Sequence, residues 1–328
     1  MIVSGICQST ERSYFLDNLK FKIIVKSPAK SGIFFNIDFL FPIFTTPIRI
    51  NMKTKTLIGL FTMSIALISC RTPRFVYSPA PPNNPYFREK GESKIAAYYS
   101  TAADENDLQH EYNNGLDLQA AYAISNHFAL TADYFKRNEK DVFNDYDRSM
   151  FDSSVIRYDR NLTNFGAGYF TPITNDKKIT FNIFGGIGFG KFSFTDNGFD
   201  NNINYSRYYS SDMSKWYIQP SINFFPGNNF RTGLIAKVSW VHYGDVSTSY
   251  TPPELEYFDL DILSGKTLSF FEATWNIQLT FNKINWIHID GGFTLSSEPF
   301  NNLTNLEARN LNLSIGLSID LSKMKNNK

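Results

Sequence analysis

The stretch LNLSIGLSIDL, Leu311 to Leu321, alternates without a break. Leu311, Leu313, Ile315, Leu317, Ile319 and Leu321 are apolar, while Asn312, Ser314, Gly316, Ser318 and Asp320 between them are polar or small. Successive side chains of a strand point to opposite faces. This segment therefore reads as a strand with one wholly apolar face and one wholly hydrophilic face. The fold follows from what each face meets.

The same period runs upstream. Leu116, Leu118, Ala120, Tyr122 and Ile124 alternate with Asp117, Gln119, Ala121 and Ala123. Phe271, Ala273, Trp275, Ile277, Leu279 and Phe281 alternate with Glu272, Thr274, Asn276, Gln278 and Thr280. Period two predicts ten strands, at about 93–102, 114–124, 127–137, 158–170, 178–194, 203–225, 229–246, 266–281, 284–297 and 308–322. No stretch predicts a long helix. Short connections at 125–126, 171–177, 226–228 and 282–283 separate longer ones near 103–113, 138–157, 195–202, 247–265 and 298–307. Antiparallel transmembrane barrels alternate in this way, with short periplasmic turns and long extracellular loops.

A soluble sandwich or lipocalin-like barrel also alternates apolar and polar residues. Three features favour the membrane barrel. Charges at mid-strand on the hydrophilic face (Asp117, Asp133, Lys237, Glu272, Asp290) suit a wet lumen and not a dry core. Aromatics on the apolar face lie near strand ends (Tyr134, Tyr169, Trp216, Phe224, Trp240, Phe281), as interfacial girdles do. Several strands exceed the roughly 9–11 residues that cross lipid. The predicted fold is an all-β, closed antiparallel up-and-down transmembrane barrel of about ten strands, spanning 93–328.

The chain has 328 residues, a formal net charge of +1 and two cysteines. No basic footprint for nucleic acid is present. Only Cys70 falls in the part read as the mature chain, from Cys70 onward, which excludes a disulfide framework or a Cys-rich metal site there. No cofactor is expected.

The stretch MKTKTLIGLFTMSIALISC, Met52 to Cys70, places Lys53 and Lys55 before an apolar run and small residues. That is the layout of an export signal. Leu67-Ile68-Ser69-Cys70 resembles a bacterial lipobox, and the resemblance implies cleavage before Cys70 and lipid attached to it. Residues 1–51 then read as an upstream extension outside the fold and 52–69 as a lipoprotein signal peptide. Residues 70–92 carry five prolines in RTPRFVYSPAPPNNPYFREKGE (71–92) and read as an extended periplasmic tether.

From Cys70 to Lys328 the chain resembles the OmpA-like or porin-like outer-membrane β-barrel proteins common in Bacteroidota. The resemblance implies the cell outer membrane and contact with its lipids. One departure is the ending SKMKNNK, where many such barrels end in an aromatic residue. An even strand number puts both barrel ends on one side, and short turns make that side periplasmic.

The hydrophilic face supplies the candidate site, a lumen network of Lys94, Asp117, Asp133, Lys237, Glu272, His288, Asp290 and Asp320. Lys94 and Asp320 are expected close together where the first and last strands meet. A three-residue turn at 282–284 would set His288 opposite Gln278 and Asp290 opposite Asn276. His288 with Asp290, and His242 near Asp245, are the acid–base candidates. Neither has the geometry of a catalytic dyad, so no catalytic residue is assigned. GGIGFG, Gly185 to Gly190, fails the dinucleotide pattern and suits bulky lumen neighbours or strand curvature. The acidic loop with Glu254, Glu256, Asp259 and Asp261 lacks EF-hand spacing and reads as solvated. Tyr205, Tyr208 and Tyr209 are candidates for an extracellular contact surface. The expected function is a non-enzymatic barrel with a filled lumen and a structural or surface-interaction role, its long loops offered to an extracellular partner. The alternatives are a narrow porin-like solute channel and a surface hydrolase.

Overall fold

A computed structural model describes residues 74–103, 113–144, 153–200, 203–227, 229–281, 284–298 and 306–326. The strands are β1 (Arg74–Tyr77), β2 (Ser93–Ala103), β3 (Asn114–Ala123), β4 (Phe128–Asn144), β5 (Ser153–Pro172), β6 (Ile179–Asp200), β7 (Ile203–Phe224), β8 (Phe230–Thr248), β9 (Thr267–Thr280), β10 (Ile287–Ser297), β11 (Leu306–Ala308) and β12 (Leu311–Ile319). Ten of them close into one barrel in the order β2 to β10, with β12 joining β10 back to β2. Every pairing in it is antiparallel, and Ile319 sits opposite Ile95 where the barrel closes. The ten barrel strands fall where the alternation places them.

The two faces separate cleanly. In β12 the outward Ile315 and Leu317 are 62% and 58% exposed, while Asn312 and Ser318 between the strand's ends and its middle are buried. Phe165, Trp216, Leu234 and Trp275 are likewise exposed on other strands. So much contiguous apolar surface, reaching every side of a closed sheet, far exceeds the few hundred Å² usual on a water-soluble monomer. The aromatics expected as girdles all lie on this outer face. No described helix is long and apolar enough to cross a membrane.

Beyond the hydrocarbon-sized middle the strands continue. β6 and β7 run 22 residues each and leave only 201–202 between them, so the long loop expected at 195–202 is instead a tall hairpin. Alternation persists to Asp196 and Tyr205 and keeps that sheet paired. The hairpin end of β4 and β5 is similarly taller than expected.

β6 carries the glycines of GGIGFG, and Gly186 shows why. It lies opposite Gly166 on one side and Tyr217 on the other. A Cβ on Gly186 would lie 2.7 Å from the Tyr217 ring and 2.4 Å from the Phe165 carbonyl oxygen. A Cβ on Gly166 would lie 2.4 Å from the Tyr217 hydroxyl. The Tyr217 ring thus rests across two side-chain-free positions. Gly186→Val is expected to destabilise the barrel by about 1–3 kcal/mol or more through overpacking. Pairing it with Tyr217→Ala should recover part of that loss, as read from urea midpoints of the heat-shifted gel band.

The remaining strands, β1 and β11, form a parallel two-stranded ribbon, with Arg74 opposite Leu306 and Phe75 opposite Glu307. This ribbon belongs to the interior of the barrel, and β11 occupies the end of the connection expected as a plain loop at 298–307.

Candidate functional site

The segment read as a periplasmic tether is the largest surprise. Every residue from Arg74 to Phe87 is buried except Ala80, which is half-buried. Its partners identify the place. The Phe75 N–H donates to Tyr158 of β5 and the Tyr77 hydroxyl to Glu272 of β9. Tyr243 of β8 donates to the Val76 carbonyl at 2.6 Å, and Arg137 of β4 to the Pro79 carbonyl at 2.8 Å. Gln119 of β3 donates to the Pro81 carbonyl at 2.8 Å, and Gln219 of β7 to the Asn83 carbonyl at 3.1 Å. A single segment that meets strands on all sides of a closed sheet lies inside it. Residues 74–87 are a thread through the lumen.

Proline explains how a tether-like sequence serves as a core. Pro79, Pro81, Pro82 and Pro85 carry no N–H, so an extended chain here leaves few donors to satisfy in a confined space. Lumen side-chain amides and Arg137 meet the carbonyls. Asn84 exchanges hydrogen bonds with Asn223 at 2.7 and 3.2 Å. The signals that exclude a sheet ladder are common to a free tether and a lumen thread. Burial distinguishes them, and the sequence does not print it.

The thread descends in order. Arg74 ion-pairs with Asp196 at 2.6 Å, near the long-loop end of β6. At the other end, Phe87 packs with Ala121, Ala123, Ala129, Phe170 and Phe184 beside the short turns. There the chain reverses. The Glu92 carboxylate accepts the N–H groups of Arg88 and Glu89 at 2.5 and 3.2 Å, and Gly91 takes a left-handed φ of 87°. Burial pushes the Glu92 carboxyl up despite those donors. The chain then rises as β2.

Two environments fill the interior. Toward the long loops, Phe75, Val76 and Tyr77 join Tyr158, Phe192, Phe194, Tyr209, Tyr243 and Phe270 in an apolar core. Tyr77 stacks on Phe270 with centroids 3.9 Å apart. This half is packed with aromatic side chains where the sequence suggested a wet lumen. The reason is local: on β5–β8 many inward residues above the membrane-sized middle are apolar or aromatic (Ile156, Tyr158, Phe192, Phe194, Tyr209, Tyr243), while β4 keeps Arg137, Glu139 and Asp141 there. The lid is built from the acidic loop. Its helix Pro252–Tyr257 has a capping box at Thr251 and Glu254, and Leu260 and Leu263 turn inward into the same core. Partial burial works against the Glu254 charge. Hydrogen bonds from Thr251 and the Arg207 guanidinium at 2.6 Å nevertheless hold its carboxyl below the usual range.

Within and below this core stand six buried ion pairs among the described residues. Arg74–Asp196 is the uppermost, with Arg309–Asp141 and Arg160–Glu139 nearby. Arg137–Asp117 at 3.8 Å and Lys237–Glu272 at 3.3 Å occupy the middle. Lys94–Asp290 at 3.2 Å lies toward the short turns. The nearby cavity between Tyr86, Lys94, Arg231, His288 and Asp320 has a volume of about 10 Å³, about one water.

Lys94, Asp117, Lys237, Glu272, His288, Asp290 and Asp320 are buried and Asp133 is half-buried, while the partners expected for Lys94, His288 and Asp290 differ. Lys94 does not clamp Asp320. It turns to Asp290 and to the Tyr98 hydroxyl at 2.9 Å, while Asp320 accepts from Ser322 and pairs with Lys323 at 3.6 Å. Register places Asp320 beside Lys94, but β10 brings a carboxylate across the same face. Asp133 accepts from Asn164. The connection between β9 and β10 is 281–286, longer than the expected three-residue turn. His288 therefore faces Thr280, and Asp290 faces Gln278. His288 Nδ1 lies 2.8 Å from the Thr280 hydroxyl, and Gln278 donates to Asp290 at 2.9 Å. His242 Nδ1 lies 3.2 Å from the Thr267 hydroxyl. Of the three tyrosines, Tyr208 is exposed, Tyr209 is buried against Phe194, and Tyr205 lies under Arg207. Cys70 lies outside the described residues. Among the described residues, no group of three His, Cys, Asp or Glu side chains gathers to hold a metal ion.

Sequence reasoning missed Arg74, Arg137, Arg160 and Arg309, the largest buried polar side chains. Arg137 and Arg160 sit at inward positions of an alternating strand, a legible signal. Arg74 and Arg309 lie on β1 and just after β11, where no alternation announces a strand.

The architecture defines a closed ten-stranded antiparallel β-barrel with an apolar outer band. No protein-family model matches the chain, and no curated protein matches it. Solved structures similar to it are outer-membrane barrels. The translocator domain of the autotransporter NalP from Neisseria meningitidis is 7% identical, covering 81% of this chain and 95% of that chain, with a TM-score of 0.42. The outer membrane protease OmpT from Escherichia coli is 9% identical, covering 70% and 94%, with a TM-score of 0.33. The outer membrane protein OprG from Pseudomonas aeruginosa is 10% identical, covering 72% and 99%, with a TM-score of 0.28. These are likenesses of barrel architecture alone.

Proposed function

We propose that this chain is a non-enzymatic outer-membrane barrel lipoprotein whose lumen is closed by its own N-terminal thread, and that it acts structurally or through surface contacts. The apolar outer band supports the membrane, and the Cys70 lipobox supports the lipid. One observation carries the closed lumen: residues 74–87 are buried inside the barrel with hydrogen bonds to strands on every side. Barrels of about eight strands are filled by side chains, and aqueous channels open near 16–18. Ten strands with a whole segment added to the interior favour a filled lumen over an open channel. The His288 and His242 rings are held by the Thr280 and Thr267 hydroxyls.

Planar-bilayer recording of the purified barrel tests this. The expected result is silence at concentrations where a known porin gives steady steps. Steady openings from the intact chain would favour the porin-like alternative and refute the closed lumen.

A further inference from the structure

We infer that the thread delivers the chain's N-terminal side to the long-loop face, so that residues preceding Arg74 emerge opposite the short turns. The inference rests on the membrane-barrel reading for its cellular meaning, and on the thread alone for its direction.

Direction is fixed at both ends and between them. Arg74 pairs with Asp196, four residues from the hairpin end of β6, and lies opposite Leu306 of β11, which follows the long connection after β10. The Arg74 guanidinium also lies 4.2 Å from the Phe258 ring of the lid. Lower down come Glu272, Arg137, Gln119 and Asn223 in turn. At the bottom the Gly91 N–H donates to the Ala123 carbonyl at 2.9 Å, at the short-turn end of β3. From Arg74 to Phe87 an extended chain spans roughly 43–47 Å, enough to cross the roughly 25–30 Å hydrocarbon layer once. It cannot double back within that length.

The consequence concerns the anchor. Cys70 precedes Arg74 by four residues. Four residues reach at most roughly 13–14 Å, about half the hydrocarbon thickness. Cys70 therefore cannot return to the short-turn side. The sequence alone puts it at the short-turn side.

The test places one epitope tag in each of three full-length chains: between Thr72 and Pro73, within 145–152, and after Lys328. Antibody binding is read on intact and on permeabilised cells, scoring only chains whose gel band shifts on heating, as closed barrels do. The expected result is that the first tag behaves as the loop tag does, on intact cells, while the C-terminal tag needs permeabilisation. A first tag that partitions with the C-terminal tag overturns the inference. If the loop tag itself needs permeabilisation, the extracellular placement of the long loops expected from the sequence fails, and the thread is still judged by whether the first tag follows it. Thr72→Cys with a membrane-impermeant maleimide gives the same reading without an insertion.

Discussion

Deleting residues 74–87 is expected to turn a silent barrel into a conducting one. The thread supplies the partners that close the lumen at each height. Without it Asp196 loses Arg74, and the Arg137 guanidinium loses Ser78 at 3.0 Å and Pro79 at 2.8 Å. Glu272 loses the Tyr77 hydroxyl, and Asn223 loses Asn84. Polar groups stripped of partners in a confined space recruit water. The aromatic packing of Tyr77 on Phe270 and of Phe87 on Phe170 is lost with them. The ten wall strands do not use the thread for their ladder, so the sheet can still close. The deleted chain, refolded into lipid and recorded in planar bilayers, is expected to show discrete openings. A synthetic peptide of residues 74–92 should close them. A deleted barrel that folds by its heat-shifted gel band yet stays silent would show that the wall side chains seal the lumen unaided. Openings untouched by the peptide would point to a defect elsewhere.

This result also marks what the sequence can and cannot announce. Leu311 to Leu321 announces its strand because both faces are uniform, and period two survives in every wall strand. The hydrophilic face of β9 and β10 was legible for the same reason: Glu272, His288 and Asp290 fall inward by parity. Their partners were not, because partners depend on register, and register here turns on how many residues separate Thr280 from Ile287. The thread was illegible for a different reason. Pro79, Pro81, Pro82 and Pro85 report that no ladder forms, which holds equally in solvent and in a lumen. β1 and β11 are four and three residues long, too short for any period. Tyr209 and Phe192 were visible as aromatics, yet only the height of the β6–β7 hairpin turns them into a core.

Glu139→Leu is expected to destabilise the barrel by about 3–5 kcal/mol, and Arg160→Met added to it to restore most of that loss. Both side chains are fully buried. Arg160 donates to Glu139 and to the Phe75 carbonyl, and its guanidinium lies 4.9 Å from the Tyr158 ring and 5.0 Å from the Phe192 ring. Removing the carboxylate alone leaves a charge among aromatics with no anion to offset its desolvation. Removing both leaves an apolar pair in an apolar neighbourhood, which is commonly neutral or stabilising. The Lys177–Glu89 pair at 3.4 Å provides the contrast, since both groups are about half exposed and such pairs contribute about 0–1 kcal/mol. Urea unfolding in lipid vesicles, followed by the gel shift, measures all four proteins of the cycle. The magnitude decides the character of the upper lumen. A water-filled interior would screen Arg160 and reduce the Glu139→Leu effect to that of Glu89→Leu. A loss several times larger, recovered by the second substitution, requires the dry core that the thread and the lid enclose.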